Sequence, residues 1–256
     1  MAPPRGSRIA EVYLSPAHVD EFKLRGRSVV VIDVLRASTT IAAALHSGAK
    51  EIIPVASVEN AVKVSRSLFG DVTLRGGERG GKVIKGFNLG NSPSEYTEEA
   101  VRGKSIIYTT TNGSAALVKA RYAQHVVVGG FVNFSRVVGF LRELKSDFIL
   151  LCAGRENEFS LEDTVCAGMI LTKLQRVQKS LQLDDAGKAA MILAKALGSN
   201  VHAMLEESAH GKFLIDFGLG NDLEICAALD SIPVLPVMSD SVIRLSKDKT
   251  QREAAP

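Results

Sequence analysis

Cysteine is scarce in this 256-residue chain, which contains only Cys152, Cys166 and Cys226. Three is an odd number, and their spacing matches neither a metal site nor a disulfide framework, so a reducing cytoplasm is the expected compartment. Long apolar runs are missing too. None approaches the eighteen or so residues that a membrane span needs, and Met1-Ala2-Pro3-Pro4-Arg5-Gly6 lacks the apolar core of a signal peptide. An excess of charge is also absent: 31 basic against 28 acidic residues leave +3, too even for nucleic acid as the main partner. Metal-ligand spacing is absent among His18, His46, His125 and His202. His210 falls at a helix end, where a cation is favourable for stability alone and a substrate role is the other reading, and Asp222 reads as a helix cap before a ligand.

What is present reads as a globular α/β protein, with 46% apolar and 23% charged residues. β-Rich runs at 9–13, 28–32, 51–55, 72–74, 104–108, 125–128 and 148–151 alternate with helical stretches. Those begin at or near Ser15, Ser38, Ser57, Pro93, Ser114, Asn133, Ser160, Asp184 and Asp222. A last run, Val234-Leu235-Pro236-Val237, reads as an edge strand because its proline cannot donate to a ladder. The alternation predicts a three-layer α/β/α domain over residues 1–256 with a largely parallel or mixed central sheet. Two closely packed lobes around the 76–93 stretch are the other arrangement. Ligands of such sheets collect beyond the carboxyl ends of the strands.

Gly76-Gly77-Glu78-Arg79-Gly80-Gly81-Lys82 leads into Gly86-Phe87-Asn88-Leu89-Gly90-Asn91-Ser92-Pro93, and six glycines alternate with acid, base, carboxamide and hydroxyl groups. This composition reads as an anion- and metal-binding loop. Gly76, Gly81 and Lys82 mimic the start of a nucleotide-binding P-loop. Val83 stands where a Ser or Thr must hold magnesium, however, and no helical period follows. Three strand-to-helix mouths complete the picture. Asp33 follows four β-branched residues, can ligate Mg²⁺ or attack phosphorus, and precedes Arg36, whose fork suits a phosphoryl group. Ser38, Thr39 and Thr40 either cap the next helix or meet an anion at its N-terminus. Thr109-Thr110-Thr111-Asn112-Gly113 forms the second mouth. The third runs from Cys152 to Asp163, where Cys152 reads as a buried structural thiol. Glu162 and Asp163 serve there as helix-dipole partners or metal ligands.

Taken in series, five segments resemble the 2-phosphosulfolactate phosphatase family over residues 9–237. They are Val31-Ile32-Asp33-Val34-Leu35-Arg36-Ala37-Ser38-Thr39-Thr40, Gly77-Glu78-Arg79-Gly80-Gly81, Gly90-Asn91-Ser92-Pro93, Thr109-Thr110-Thr111-Asn112-Gly113 and Phe159-Ser160-Leu161-Glu162-Asp163. The resemblance implies a Mg²⁺-dependent phosphatase converting (R)-2-phospho-3-sulfolactate and water into (R)-3-sulfolactate and phosphate, a step of coenzyme M biosynthesis. The substrate would be a small phosphorylated sulfonate or carboxylate, and a homo-oligomer is compatible with it. The family pattern has an aspartate where this chain has Asn88, so no metal or base role is carried to that position. On this reading Asp33, Arg36, Glu78 and Arg79 are catalytic, and Asp33, Glu78 and one of Glu162 or Asp163 supply the metal ligands. Lys82 joins the two arginines on the phosphoryl group, with Ser38 and Thr39 close by. Asn91, Ser92, Thr109, Thr110, Thr111, Asn112 and Gly113 seat the carboxylate or sulfonate end. The Asp-x-Asp-x-Thr pattern of haloacid dehalogenases is absent. Two rival classes are a non-catalytic binding protein for a phosphorylated organic acid and a nucleotide-dependent enzyme built on the Gly76 to Lys82 stretch.

Overall fold

Val29, Val30, Val31 and Ile32 are all β-branched, and in the computed structural model they form a strand buried along its whole length. The structure describes residues 8–67 and 73–246. The expectations for residues 1–6, Leu68, Val72 and the tail from Lys247 lie outside the described residues.

The first part of the chain comprises β1 (Ile9–Tyr13), α1 (Glu21–Leu24), β2 (Ser28–Ile32), α2 (Ala37–His46), β3 (Glu51–Pro54) and α3 (Val58–Ser67). Then come β4 (Thr73–Arg79), β5 (Lys82–Val83), α4 (Glu98–Val101), β6 (Ser105–Thr109), α5 (Gly113–Ala120), β7 (His125–Gly129) and α6 (Phe134–Glu143). The last part holds β8 (Phe148–Cys152), α7 (Leu161–Val177), β9 (Gln182–Leu183), α8 (Asp185–Leu197), α9 (Val201–Glu207), α10 (Ala209–Asp216), α11 (Asn221–Ala227), β10 (Pro236–Ser239) and β11 (Val242–Leu245).

Among the described residues the strands form one mixed sheet in the order β5-β4-β6-β3-β11-β10-β7-β2-β8-β1-β9. The strands β4, β6 and β3 run parallel to each other, as do β7, β2, β8, β1 and β9. The hairpin β10–β11 joins these groups through antiparallel pairing on both sides, so the two parallel halves run in opposite senses. Each strand step turns the strand axis by roughly 20–25°, so the five steps from β6 to β2 amount to about 100–125° of twist. The twist brings the carboxyl ends of both halves toward one side.

Alternation along the strands separates the cores. Val29 and Val31 of β2, with Ile106 and Tyr108 of β6, pack on α2 and α5 through Ile41, Leu45 and Leu117. Val30 and Ile32 face the other way, onto Val137 and Leu141 of α6 and Ile170 and Leu174 of α7. On the first half, Ile107 faces α3 through Ala61. Helices therefore cover both faces of the sheet.

Two expectations are corrected. The run around Pro236 is interior to the sheet rather than an edge. Pro236 is the first residue of β10, and it is Val237 and Met238 that meet β7, so the missing N–H falls outside that ladder. The glycine-rich stretch is also less of a loop than its composition implies, since residues 76–79 continue β4, with Gly76 and Gly77 beside β6 and Glu78 and Arg79 beside β5. Gly80 and Gly81, with φ of 55° and 79°, then turn the chain into β5 as in a two-residue type I′ hairpin. Lys82 thus opens a strand rather than a helix, which removes the P-loop reading. Smaller differences are local. Pro93 to Arg102 splits into a 3₁₀ turn at Pro93–Glu95 and α4. Asn133 does not cap α6 with its side chain but donates to the carbonyls of Val128 and Val234.

Ile243 is fully buried opposite Ile52, whereas its neighbour Arg244 pairs with Glu51 at the surface. Ile243→Ala should therefore cost about 2–5 kcal/mol in urea unfolding and Arg244→Ala less than about 1 kcal/mol. Equal costs would mean that the hairpin is not packed into the sheet.

Candidate active site

At the convergent strand ends lies a cavity of about 120 Å³, with Asp33, Arg36, Glu78, Asn91, Thr110, Thr111, Asn112, Arg155, Glu156 and His210 in its wall. Asp33 arrives directly after β2. Its amide donates to Ser38 Oγ (2.9 Å) and its Oδ1 accepts from Ala37 N–H (3.2 Å). The start of α5 is pressed against it: a Cβ on Gly113 would lie 2.5 Å from Asp33 Oδ2, so only glycine lets that helix come so close. Glu78, near the end of β4, is held by backbone donors from both sides, with Oε1 accepting from Thr111 N–H (2.8 Å) and Oε2 from Gly81 N–H (2.9 Å).

Arg36 enters from the turn between β2 and α2. Its Nη1 lies 2.6 Å from Asp222 Oδ2, and both side chains are almost wholly buried. Asp222, in the first turn of α11, also accepts from Ser92 Oγ at 2.5 Å. Three distant segments are thereby fastened through one carboxylate, that of Asp222. Asp163 ties β2 to β8 through backbone amides, taking Val34 N–H on Oδ1 (2.8 Å) and Gly154 N–H on Oδ2 (3.1 Å). Glu162, next to it at the start of α7, lies 3.5 Å from His210 Nδ1.

Burial, only partly offset by nearby His210 and by the Ala37 amide, pushes Asp33 up to about 6, and Glu78 and Glu162 add to the rise. Burial, with Asp33 and Glu162 beside it, also drives Asp163 well above the usual carboxylate range.

Of the residues singled out from sequence, Asp33, Arg36, Glu78, Asn91, Thr110, Thr111 and Asn112 are brought together in the wall. The others are not part of it. Ser38 and Thr39 turn their hydroxyls to the backbone of Asp33 and Val34. Arg79 donates to Thr109 Oγ1 (2.9 Å) and to the carbonyl of Glu78, which occupies Thr109 as well. Lys82 sits over the Phe217 ring, Ser92 is held by Asp222, and Gly113 backs the cavity behind Asp33. Glu162 and Asp163 lie behind the wall. Asn88 is exposed and accepts the amide of Arg75 (2.9 Å). Cys152 is fully buried, and burial pushes its thiol well above the ordinary range.

Sequence reasoning gave no role to Arg155 or Glu156, and it read His210 and Asp222 as helix-end residues. The one available signal was Gly154-Arg155 at the end of β8, an arginine just past a strand as Arg36 is past β2.

Fold and site together define an α/β protein with a cavity lined by acids and arginines beyond the carboxyl ends of its strands. The 2-phosphosulpholactate phosphatase family model matches residues 13–241, and the chain belongs to that family. Among its relatives, a protein of Caldanaerobacter subterraneus subsp. tengcongensis is 37% identical over 238 residues, covering 93% of this chain and 98% of the relative. One of Symbiobacterium thermophilum is 40% identical over 223 residues, with 87% and 96% covered. One of Carboxydothermus hydrogenoformans is 41% identical over 210 residues, with 82% and 85% covered. All three are named probable 2-phosphosulfolactate phosphatase.

The folded protein keeps the Asp33 proton up to about pH 6, whereas an unfolded chain releases it near ~4. Between those values the native state binds the extra proton, so stability falls as pH rises through that window. Asp33→Asn removes a penalty on the order of 3 kcal/mol. It should raise the Tm of EDTA-treated protein at pH 8 by several degrees and bring no gain at pH 4 or below. A variant melting lower than the parent at pH 8 would show that Asp33 is not held against its charge.

Proposed function

We propose that this protein is a phosphoric monoester hydrolase that converts (R)-2-phospho-3-sulfolactate and water into (R)-3-sulfolactate and phosphate. It would act with Mg²⁺ in the cytoplasm, as a step of coenzyme M biosynthesis or on a closely related phosphorylated acid. The observation that carries this reading is the meeting of Asp33 and Arg36, from the turn after β2, with Glu78, from the end of β4, in one wall. Phosphoryl transfer asks a protein mainly to position the group and to neutralise its oxygens.

The donor set suits a hard divalent cation. Among the described residues no three His, Cys, Asp or Glu side chains are grouped closely enough to hold an ion alone. Mg²⁺, however, usually takes only one or two carboxylates, completing its shell with waters and substrate phosphate oxygens. Asp33 and Glu78 would be those carboxylates, and the raised proton affinity of Asp33 marks an acid whose charge lacks a partner. When bound, the ion neutralises phosphoryl oxygens and lowers the cost of bringing a nucleophile to phosphorus.

Arg36 offers its remaining donors to the phosphoryl group. Its pairing with Asp222 fixes the guanidinium without flexible-chain entropy to lose on binding. Asp163 holds the turns after β2 and β8 through their amides, and so orients Asp33 without touching substrate. Thr110 and Asn112 add neutral hydrogen-bonding groups to the wall.

The purified protein should release phosphate from (R)-2-phospho-3-sulfolactate with Mg²⁺, and EDTA should abolish the release. Binding without turnover at saturating Mg²⁺ would instead support a non-catalytic receptor. Asp33→Asn should lower kcat by at least ~10²-fold with the fold retained. Cys152→Ser should keep turnover within a few-fold of the parent, because the thiol is sealed in the core and protonated; complete loss in a folded variant would point to thiol chemistry.

A further inference from the structure

Arg155 is the cation in the cavity wall that the proposed chemistry leaves unused. Arg36 is matched by Asp222 and His210 faces Glu162, but among the described residues Arg155 has no carboxylate partner. Its guanidinium instead lies 5.2 Å from the centre of the Phe213 ring. Such stacking holds the planar fork in place and leaves its in-plane N–H donors free for an oxyanion.

The backbone beneath Arg155 is built to hold it still. Arg155 and Glu158 exchange both backbone hydrogen bonds (3.1 and 2.8 Å), closing a two-residue turn over Glu156 and Asn157. Those two residues have φ of 53° and 67°, a left-handed conformation that side-chain-bearing residues rarely adopt. The turn is pinned from two further directions. Asn112 Oδ1 accepts from Glu156 N–H (2.9 Å), and Ser15 Oγ donates to the Asn157 carbonyl (2.5 Å). The Asn112 bond ties the turn to the end of β6, on the same wall as Glu78 and Thr111.

We infer that Arg155, on its pinned turn over Phe213, forms a second oxyanion subsite that takes a sulfonate or carboxylate carried beside the phosphate ester. This rests on the hydrolase reading above for the identity of the ester. Arg36 and the acidic pair serve the phosphoryl group, and Arg155 makes the cavity select esters that bear a further anion.

Two measurements test it. The first compares turnover of (R)-2-phospho-3-sulfolactate, 2-phospholactate (no sulfonate), 1-sulfopropan-2-yl phosphate (no carboxylate) and isopropyl phosphate (neither). Arg155→Ala should lower the preference for (R)-2-phospho-3-sulfolactate over isopropyl phosphate at least ~10-fold, through KM more than kcat, with Arg155→Lys intermediate. Whichever single-anion ester shares that loss carries the anion Arg155 holds. Equal proportional losses on all four esters would overturn the subsite. The second measurement is titration calorimetry with (R)-3-sulfolactate, which has both anions and nothing to hydrolyse. Binding at least ~10-fold weaker in Arg155→Ala supports the subsite even if no ester is turned over, which would overturn only the hydrolase reading. Unaltered binding, or none to the parent protein, refutes it.

Discussion

Two sets of parallel strands run in opposite senses within one sheet, and the cavity depends on how that opposition is resolved. The hairpin β10–β11 stands between the sets, pairing antiparallel with β3 on one side and β7 on the other. It widens the sheet by two strands and adds its share of right-handed twist. The carboxyl ends of β2, β4 and β6 then reach a common rim, and α2 and α5 fill the concave side between the halves. Without the added twist Asp33 and Glu78 would leave the sheet at opposite ends.

Bringing those ends together concentrates charge, and the protein handles each charged group differently. Arg36 and Asp222 neutralise each other out of water, a pair whose rupture would leave a buried charge and cost about 3–5 kcal/mol. Glu78 and Asp163 are steadied by two backbone amides each. Asp33 has one such amide, and burial holds its proton to about pH 6. Stability is thus given up at the residue proposed to meet the cation, as expected where a site must hold charge ready for a ligand. Arg155 is the mirror image, a cation without a carboxylate among the described residues.

Much of the architecture was legible. Continuous apolar runs marked β2, β7 and β8, because a strand buried on both faces has no polar side to show. Side-chain capping at Ser160 is present as its sequence suggested, since a cap acts within three residues. The strand ends around Asp33 and Thr110 were each recognisable as polar mouths. What misled was composition read without partners. The Gly76 to Arg79 stretch has the look of a loop, yet it extends as strand, with Gly76 and Gly77 in register with β6 and Glu78 and Arg79 with β5. Pro236 signalled an edge because proline breaks ladders, but its place at the start of β10 spares the ladder to β7. Thr39, Ser92 and Thr109 have the chemistry of ligand contacts and turn it inward, to Val34, Asp222 and Arg79.

Local order, the kind of element at most positions, and the residue types able to bind a phosphorylated acid were therefore determined by the sequence itself. Each depends on neighbours within a few residues, through periodicity, capping and the chemistry of single side chains. Which of those residues share a wall was decided only by the tertiary structure. Arg36 meets Asp222 across 186 positions and Val34 meets Asp163 across 129. Such distances are set by sheet order and accumulated twist, which leave no pattern in any short window of the chain.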